Sequence, residues 1–470
     1  MKIIKAAVTG NLLLLFASPL FAENLVDIYH EALQNDPTYQ KADATWMGAQ
    51  ENIAIARAGN GTPGSGLFPY IGLQANLQHT YAKLDNDFHQ GNGSFDTSNA
   101  FLTITQPIFN FATWKAISGA KYSVKAASAT YLASAQDLMS RTAQAYFNVL
   151  SAAEKLNYTK AQKEAFAQQL YTAKEKVKVG LIAITNLYDA QASYDSAAAQ
   201  EIQDQNDLAN QMEALRAITG KSYSSLMGLQ KNIPLITPKP QNIDAWVRIA
   251  DQQSFAIKAS EYTMLAAQEK VKQAAAGAYP TLTAQAQFGV QRQGVGPYIP
   301  STTMAPNVPA PGSTATFNTT RSAQVGLSLD FPIFQGGYVK HTTKQQQYNY
   351  LSASDQLEFV HRSTTQQTRQ AYLAINSGIN KIRADAQSIK SAKSKMESTK
   401  AAYDAGTSTM VDVLNAVTNY YQTQQQWSMD RYNYVLGIIA LKQQAGTLNP
   451  ADIAELNRWL QKSIDIKKMM

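Results

Sequence analysis

The chain repeats itself at its turning points. Val177-Lys178-Val179-Gly180-Leu181-Ile182-Ala183-Ile184-Thr185-Asn186-Leu187 has an echo in Tyr403-Asp404-Ala405-Gly406-Thr407-Ser408-Thr409-Met410-Val411-Asp412-Val413, which sets Gly180 and Gly406 226 residues apart. Ala145-Tyr146 and Ala371-Tyr372 keep that spacing, as do Gly220 and Gly446. Gly180 and Gly406 each stand where one long alanine-rich helical pattern stops and another begins, and glycine takes the left-handed conformation that ends a helix at no steric cost. Thr185 and Asn186 in the first copy, and Thr409 with Asp412 in the second, offer cap oxygens for the helix that follows. A tandem duplication built on antiparallel helical hairpins is the frame into which everything else must fit.

The helices are very long. No proline interrupts the pattern from about Thr113 to Val179 or from Tyr338 to Ala405, and roughly 66 residues at 1.5 Å per residue make a helix of about 100 Å. With 45% hydrophobic residues, many of them alanine and tyrosine, such helices cannot build a thick core and must bury thin layers against one another, as coiled coils do. The returning helices carry a sevenfold pattern, Leu187, Ala190, Tyr194, Ala197, Leu208, Leu215 and Ile218, repeated as Val413, Ala416, Tyr420, Thr423, Trp427, Tyr434 and Leu441. That period argues for supercoiled pairing and its small residues for close approach.

Ahead of each long hairpin the period changes. Asn24 to Ala58 reads as helix interrupted near Asp36-Pro37, since the residue before proline is steered away from the helical region. Its counterpart is Asn242 to Gly277, with Ala49-Gln50-Glu51 matching Ala267-Gln268-Glu269 218 residues on. Phe68-Pro69 then matches Tyr279-Pro280 at 211, the extra loop Gly59-Asn60-Gly61-Thr62-Pro63-Gly64-Ser65 absorbing the difference.

Four alternating stretches follow these helices. Ile71, Leu73, Ala75, Leu77 and Tyr81 share one face, with Gly72, Gln74, Asn76, Gln78 and Thr80 on the other; a shorter stretch surrounds Ala100, Leu102 and Ile104. Leu282, Ala284, Ala286, Phe288 and Val290 oppose Thr283, Gln285, Gln287, Gly289 and Gln291, and Ala323, Val325, Leu327, Leu329 and Phe331 oppose Gln324, Gly326, Ser328 and Asp330. The stretches have the length of about 9 to 11 residues that a tilted transmembrane strand needs, although a soluble sandwich shows the same alternation. Tyr70, Tyr81, Phe101, Tyr279 and Phe331 fall where interfacial aromatics sit. Lys83 to Thr97 and Arg292 to Thr320, the latter with Pro297, Pro300, Pro306, Pro309 and Pro311, are expected as extracellular loops. Gln106-Pro107-Ile108-Phe109 and Phe331-Pro332-Ile333-Phe334 close the two strand pairs, because proline ends a strand or opens a helix.

The start of the chain favours the barrel. Met1-Lys2-Ile3-Ile4-Lys5, the apolar run Leu12 to Phe16 and small Ala22 before Glu23 make residues 1-22 a secretory signal peptide. The chain has no cysteine, so neither lipid anchoring nor disulfides enter the argument. Beyond the signal no run of about 18 apolar residues suits a membrane-spanning helix, which leaves a barrel as the way across a bilayer. The net charge of +7 is scattered along solvated helix faces, and no stripe for nucleic acid is expected. The five histidines, at 30, 79, 89, 341 and 361, form no metal-ligand spacing, and there is neither a phosphate loop nor a nucleophile elbow. No cofactor, no metal and no enzyme activity are expected.

The duplicated order of helix, strand pair, long helix, glycine tip and returning helix, with Val179-Gly180-Leu181-Ile182-Ala183-Ile184-Thr185, Gly406-Thr407, Val411-Asp412-Val413-Leu414-Asn415-Ala416 and Gly446-Thr447-Leu448-Asn449, closely resembles the TolC-type outer-membrane efflux channels. The resemblance implies an α+β membrane protein, mostly α-helical: a homotrimer whose outer-membrane β-barrel takes four strands per chain and is continuous with a periplasmic coiled-coil barrel. It implies two structural repeats, 23-241 and 242-470, with strand hairpins 67-106 and 279-331, helix hairpins 108-220 and 333-446, a linker and a C-terminal lateral segment. Four strands are too few to close the smallest barrels of about eight; two chains suffice arithmetically, and three is what the resemblance implies.

The function it implies is an exit duct for drugs or secreted proteins, served by an inner-membrane pump and a periplasmic adaptor, in contact with outer-membrane lipid and with no nucleic acid. A trimeric coiled-coil surface adhesin or a passive porin is the alternative. An adhesin would place its strands at one chain end, whereas here they are interleaved between helices. Carried over by position, the periplasmic gate would comprise Asp412, Asn415, Tyr403, Thr185, Asn186 and Ser408, and the adaptor would dock on Val179, Gly180, Leu181, Gly406 and Thr407. Asn186 and Asn415 stand where aspartates are usual in such channels and Ser408 where an arginine is, which points to a more weakly latched gate. Three Asp412 carboxylates are expected to converge on the axis, with uncharged Asn415 one turn later.

Overall fold

The computed structural model of the chain describes residues 22–86, 89–294 and 317–469. All but the last residue of the expected signal peptide, and the centre of the proline-bearing loop, lie outside the described residues. In chain order the elements are α1 (Leu25–Asn35), α2 (Pro37–Ala58), β1 (Tyr70–Asn86), β2 (His89–Phe109), α3 (Phe111–Lys178), α4 (Ile184–Thr219) and β3 (Ser225–Leu229). They continue with α5 (Ile243–Gln253), α6 (Phe255–Ala275), β4 (Thr281–Gly294), β5 (Phe317–Asp330), α7 (Tyr338–Asp404), α8 (Met410–Gln444), α9 (Pro450–Asn457) and β6 (Leu460–Asp465). The chain is mostly helical, and among the described residues no helix is long and apolar enough to cross a membrane. It falls into two compact units. One takes the described residues up to Lys41, Leu132–Ser254 and those from Ser363 onward; the other takes Ala42–Tyr131 and Phe255–Arg362.

The second unit holds an antiparallel sheet in the order β1-β2-β4-β5, so that the two hairpins meet through β2 and β4, with β1 and β5 outermost. The register fixes its faces. Leu73, Leu102, Phe288 and Ala323 are paired across all four strands, and so are Gln74 with Phe101 and Phe101 with Gly289. Side chains alternate along a strand, so the apolar sets of all four strands share one face. Leu73, Leu77, Val325, Leu327 and Leu329 are exposed there. Phe101 is not on that face: it covers Gly289, where a Cβ would lie 2.1 Å from the ring. Tyr70 likewise lies over Gly72 on the polar face, so neither fits an interfacial belt.

The strands exceed the expected length, with 17 residues in β1 and 21 in β2. Lys83 to Thr97 is therefore not a long loop. Lys83 pairs with Asn92 and Tyr81 with Ser94, because a ladder is closed by backbone groups and needs no apolar alternation. Pro107 does not end β2 either. The strand runs on to Phe109 with a register shift between Pro107 and Phe109, the bulge at which a residue lacking N–H is tolerated. The following helix thus begins at Phe111, three residues later than expected.

In the other unit, Asn24 caps α1 by accepting from Val26 N at 2.9 Å and Asp27 N at 3.1 Å. The chain breaks at Asp36, ahead of Pro37. The Asp36 carboxylate accepts from Tyr39 N at 2.6 Å and from both Nη atoms of Arg141 at 3.0 and 3.2 Å. The second copy repeats the cap with Asn242, and it also breaks, at Ser254, where there is no proline and an unbroken helix is expected. The reason is tertiary. Gly446, at φ 72°, brings its backbone so close that a Cβ there would lie 2.4 Å from Gln253 O, and the equivalent Gly220, at φ 74°, faces Asn35 at the first break.

The linker and the C-terminal segment, both expected as lateral elements, come together. β3 pairs with β6, and both cover a core in which Leu25, Ile28, Tyr146, Phe147, Leu150, Leu208, Leu215 and Val435 are fully buried or nearly so. Tyr146 Oη donates to Met227 O of β3 at 2.6 Å. Arg431 is 1% exposed in the same region. It donates to Gln230 O at 2.6 Å and stacks on Trp427, its guanidinium carbon 4.5 Å from the ring centre.

Candidate functional site

The two glycine turnarounds have the same hydrogen bonds. Leu181 N donates to Lys176 O at 2.9 Å and Gly180 N to Val177 O at 3.0 Å; Thr407 N donates to Ala402 O at 2.9 Å and Gly406 N to Tyr403 O at 3.0 Å. With φ of 73° at Gly180 and 77° at Gly406, both are Schellman ends, a geometry that a side chain at the glycine would strain.

The next helices start differently. α8 begins with a capping box: Thr409 Oγ1 accepts from Asp412 N at 3.2 Å while Asp412 Oδ2 accepts from Thr409 N at 2.9 Å. α4 begins after Ala183 with no side-chain cap. Thr185 and Asn186 are therefore not caps; they lie inside the first turn, Asn186 N donating to Ala183 O at 3.1 Å.

Both tips pack on one small core. Phe166, Ala173, Ala190 and Ala197 of the first hairpin are buried against Met410, Val413, Leu414 and Val417 of the second, with Ile182, Leu187, Tyr194 and Tyr403 at its edge. The alanines at sevenfold spacing are what allow this approach. Burying the side chains of Met410 and Val413, both 0% exposed, contributes on the order of 1.5–3 kcal/mol each. Outside this core the residues expected to dock an adaptor stand free. Val179 and Leu181 are 69% and 72% exposed, Thr407 is exposed, and a Cβ at Gly180 or Gly406 would meet nothing within 4 Å.

The expected gate residues separate into three groups. Ser408 and Asp412 are together: Ser408 Oγ donates to Asp412 Oδ2 at 3.1 Å and Thr409 Oγ1 to the same oxygen at 2.6 Å. The Thr409 hydroxyl, the Thr409 amide and the Ser408 hydroxyl hold the Asp412 carboxyl below the usual carboxylate range. Asn415 is exposed one turn further along. Thr185 is exposed and Asn186 half-buried on α4.

Tyr403 stands apart from both. Its hydroxyl is buried without a hydrogen-bond partner, and burial pushes the phenol up, opposed by the charge of Lys176 and aided by that of Asp404. Lys176 Nζ lies 4.8 Å from the Tyr403 ring centre and 3.0 Å from Asp404 Oδ1. This pair joins the last turn of α3 to the last residue of α7. The sequence carried one sign of it, since an acid at a helix C-terminus is disfavoured by the helix dipole and its presence there asks for a cation nearby. Among the described residues no group of three metal-ligating side chains is present.

The chain matches the profile of the outer membrane efflux protein family over residues 28–221 and 246–447. It is 37% identical to outer membrane protein TolC of Escherichia coli (strain K12) over 96% of this chain and 87% of that protein. It is 24% identical to the alkaline protease secretion protein AprF of Pseudomonas aeruginosa over 94% and 89%. Among solved structures, the Campylobacter jejuni CmeC outer membrane channel superimposes with a TM-score of 0.72, at 19% identity and 98% coverage of both chains. The chain belongs to the outer membrane efflux protein family.

Proposed function

We infer that this protein is the outer-membrane exit duct of a tripartite efflux or type I secretion system, its helical part in the periplasm, working with an adaptor and an inner-membrane pump. The observation that carries the membrane part is the four-stranded sheet, whose outer strands β1 and β5 are antiparallel to their neighbours and have no further partner among the described residues. In lipid such edges must be satisfied. Because the strand directions alternate, β5 of one copy can pair antiparallel with β1 of the next, a head-to-tail contact that closes into a ring. We take the ring to be a homotrimer, with the apolar face toward lipid and the glutamine-rich face lining the duct. The signal peptide would be residues 1-22, and the repeats 23-241 and 242-470.

At the periplasmic end, the tips would close the duct and receive the adaptor. Val179, Gly180, Leu181, Gly406 and Thr407 form the docking surface, exposed and free of bulk. Asp412, Asn415, Tyr403, Thr185, Asn186 and Ser408 form the gate. Energy comes from the pump, so the chain needs no catalytic group. Replacing Gly180 by Trp tests the docking role in a strain lacking its own channel. Drug efflux is expected to be lost while heat-stable trimers remain in the outer membrane; normal efflux from that variant would remove the tip from the docking surface.

A further inference from the structure

The glutamine face of the sheet is almost without charge. By register, His79, Lys83, Asp85, Asp96, Arg292 and Arg321 all fall on the opposite, apolar face. The two titratable residues of the four strands that do share the glutamine face stand at its ends: His89 at the hairpin of β1 and β2, paired with Asn86, and Asp330 beside the helices, paired with Thr281.

Between these ends lies a row of paired residues, Gln74, Phe101, Gly289 and Ser322. Ser322 to Asp330 is about 26 Å along the strand and Phe101 to His89 about 40 Å at the usual rise per residue, several times the screening length of about 8 Å in physiological salt. A solute held at this row meets no charged group on the face that holds it.

What the row offers instead is a ring. Phe101 lies so close to the Gly289 backbone that a Cβ there would come 2.1 Å from its Cδ1 atom, and the side chain is still only half-buried. Glycine leaves the room for this seat. Tyr70, 39% exposed, repeats the arrangement nearer the helices, where a Cβ at Gly72 would lie 2.9 Å from its Cε1 atom. Around Phe101, Gln74, Gln287 and Gln291 bring carboxamides, which donate and accept hydrogen bonds without carrying a charge.

We propose that Phe101 is a specificity-determining residue of the duct, the ring on which planar aromatic solutes stack as they leave, whatever the sign of their charge. The inference rests on the reading above that the glutamine face lines the duct. An offset or edge contact between two aromatic rings is weak, and weak holding is what a duct requires, since a solute must enter a site and also leave it. The carboxamides beside the ring meet the polar groups of the solute as donor or as acceptor, so one row serves an anion and a cation alike.

The test uses the full chain in planar bilayers, with naphthalene sulfonate, naphthylmethylammonium or their decahydro counterparts added on the barrel side, and reads the lifetime of current blocks. Wild type is expected to hold both naphthyl probes longer than the saturated ones. Phe101→Leu keeps the apolar bulk without the ring and is expected to shorten both naphthyl lifetimes about fivefold, about 1 kcal/mol, with no change for the saturated probes. Phe101→Tyr keeps the ring and should hold the naphthyl probes as wild type does, which separates stacking from misfolding. Equal lifetimes for naphthyl and decahydro probes in wild type, or unchanged naphthyl lifetimes in Phe101→Leu, would overturn the proposal. Lifetimes that follow the sign of the charge, long for one naphthyl probe and short for the other, would overturn it too. Gln287→Lys tests the underlying reading by itself: it should shift the reversal potential toward anions. An unmoved reversal potential in that variant would take the glutamine face out of the duct, and this inference with it, whereas a shifted one beside an unaffected Phe101→Leu would sink this inference alone.

Discussion

Lys176 and Asp404 tie the two hairpin tips together with a 3.0 Å ion pair, although 228 residues separate them along the chain. The lysine, 28% exposed, also covers the Tyr403 ring. Ser408 is uncharged, and the cross-hairpin charge contact is supplied from α3. Exposed pairs of this kind contribute about 0.2–1 kcal/mol, and the contact with the ring adds about 0.5–1 kcal/mol.

Lys176→Ala is therefore expected to loosen the tips with little effect on the rest of the fold. In planar bilayers its closed-state conductance should exceed wild type, and the gain should shrink at high salt, where the wild-type pair is itself screened. Equal conductance in Lys176→Ala and wild type at low salt would show that the pair does not hold the tip.

Asp412 should govern cation block of the duct. Block by hexammine cobalt is expected to be abolished by Asp412→Ala and strengthened by Asn415→Asp, which puts a second carboxylate on the same helix face. The folded-state pKa of Asp412 is depressed by its three hydrogen bonds, so block should persist below the ordinary carboxylate range as pH falls, and Ser408→Ala should move its loss to higher pH. Equal block in all these channels would take Asp412 out of the duct.

Asp385 gives a pH effect of opposite sign. Burial first, and then the neighbouring Asp430 carboxylate, push its carboxyl up to about 6 from 3.8. A raised acid costs stability where it is ionised, above about pH 6, and the cost disappears as pH falls toward the unfolded value. Asp385→Asn should therefore stabilise the protein at pH 8, on the order of 1 kcal/mol given solvent screening of the half-buried Asp385, and do little at pH 4. Thermal melts at the two pH values check it.

The Asp36–Arg141 pair fixes the first helix break. Burial pushes the Asp36 carboxyl up, but the Arg141 bonds and the Tyr39 amide outweigh it and leave the pKa below 3.8. Its stabilisation is thus present above that value and lost as pH falls through the depressed folded one. Arg141→Ala leaves the carboxylate, 3% exposed, without its cation and should cost about 3 kcal/mol, while Arg141→Ala with Asp36→Asn should recover part of that loss in melts at pH 7.

What could be read from the sequence was what short-range chemistry decides. Gly180 and Gly406 end helices because of their own backbone freedom, and Asp36-Pro37 breaks one because proline excludes the helical region from the residue before it. The break at Ser254 has no such local cause; it is imposed by Gly446, nearly two hundred residues away. Strand faces were legible in Ile71 to Leu77 and Leu282 to Val290, but not how far β1 and β2 run, since their polar outer ends pair through the backbone alone. Within the tip, Asp412 was legible as a cap. Lys176 was not: Asp404 at a helix end asks for a cation, but no spacing in the sequence says that it comes from another hairpin.

The unequal helix starts at the tips give the duplicated chain two different hinges. The second returning helix is fastened by a box between Thr409 and Asp412, while the first has only the Ala183 backbone before its opening turn. A missing cap is worth about 1 kcal/mol, so the turn at Ile184 frays several times more readily than the one at Met410. In the trimer proposed above, a ring of such tips would alternate soft and stiff members, and its widening would begin at three places rather than six.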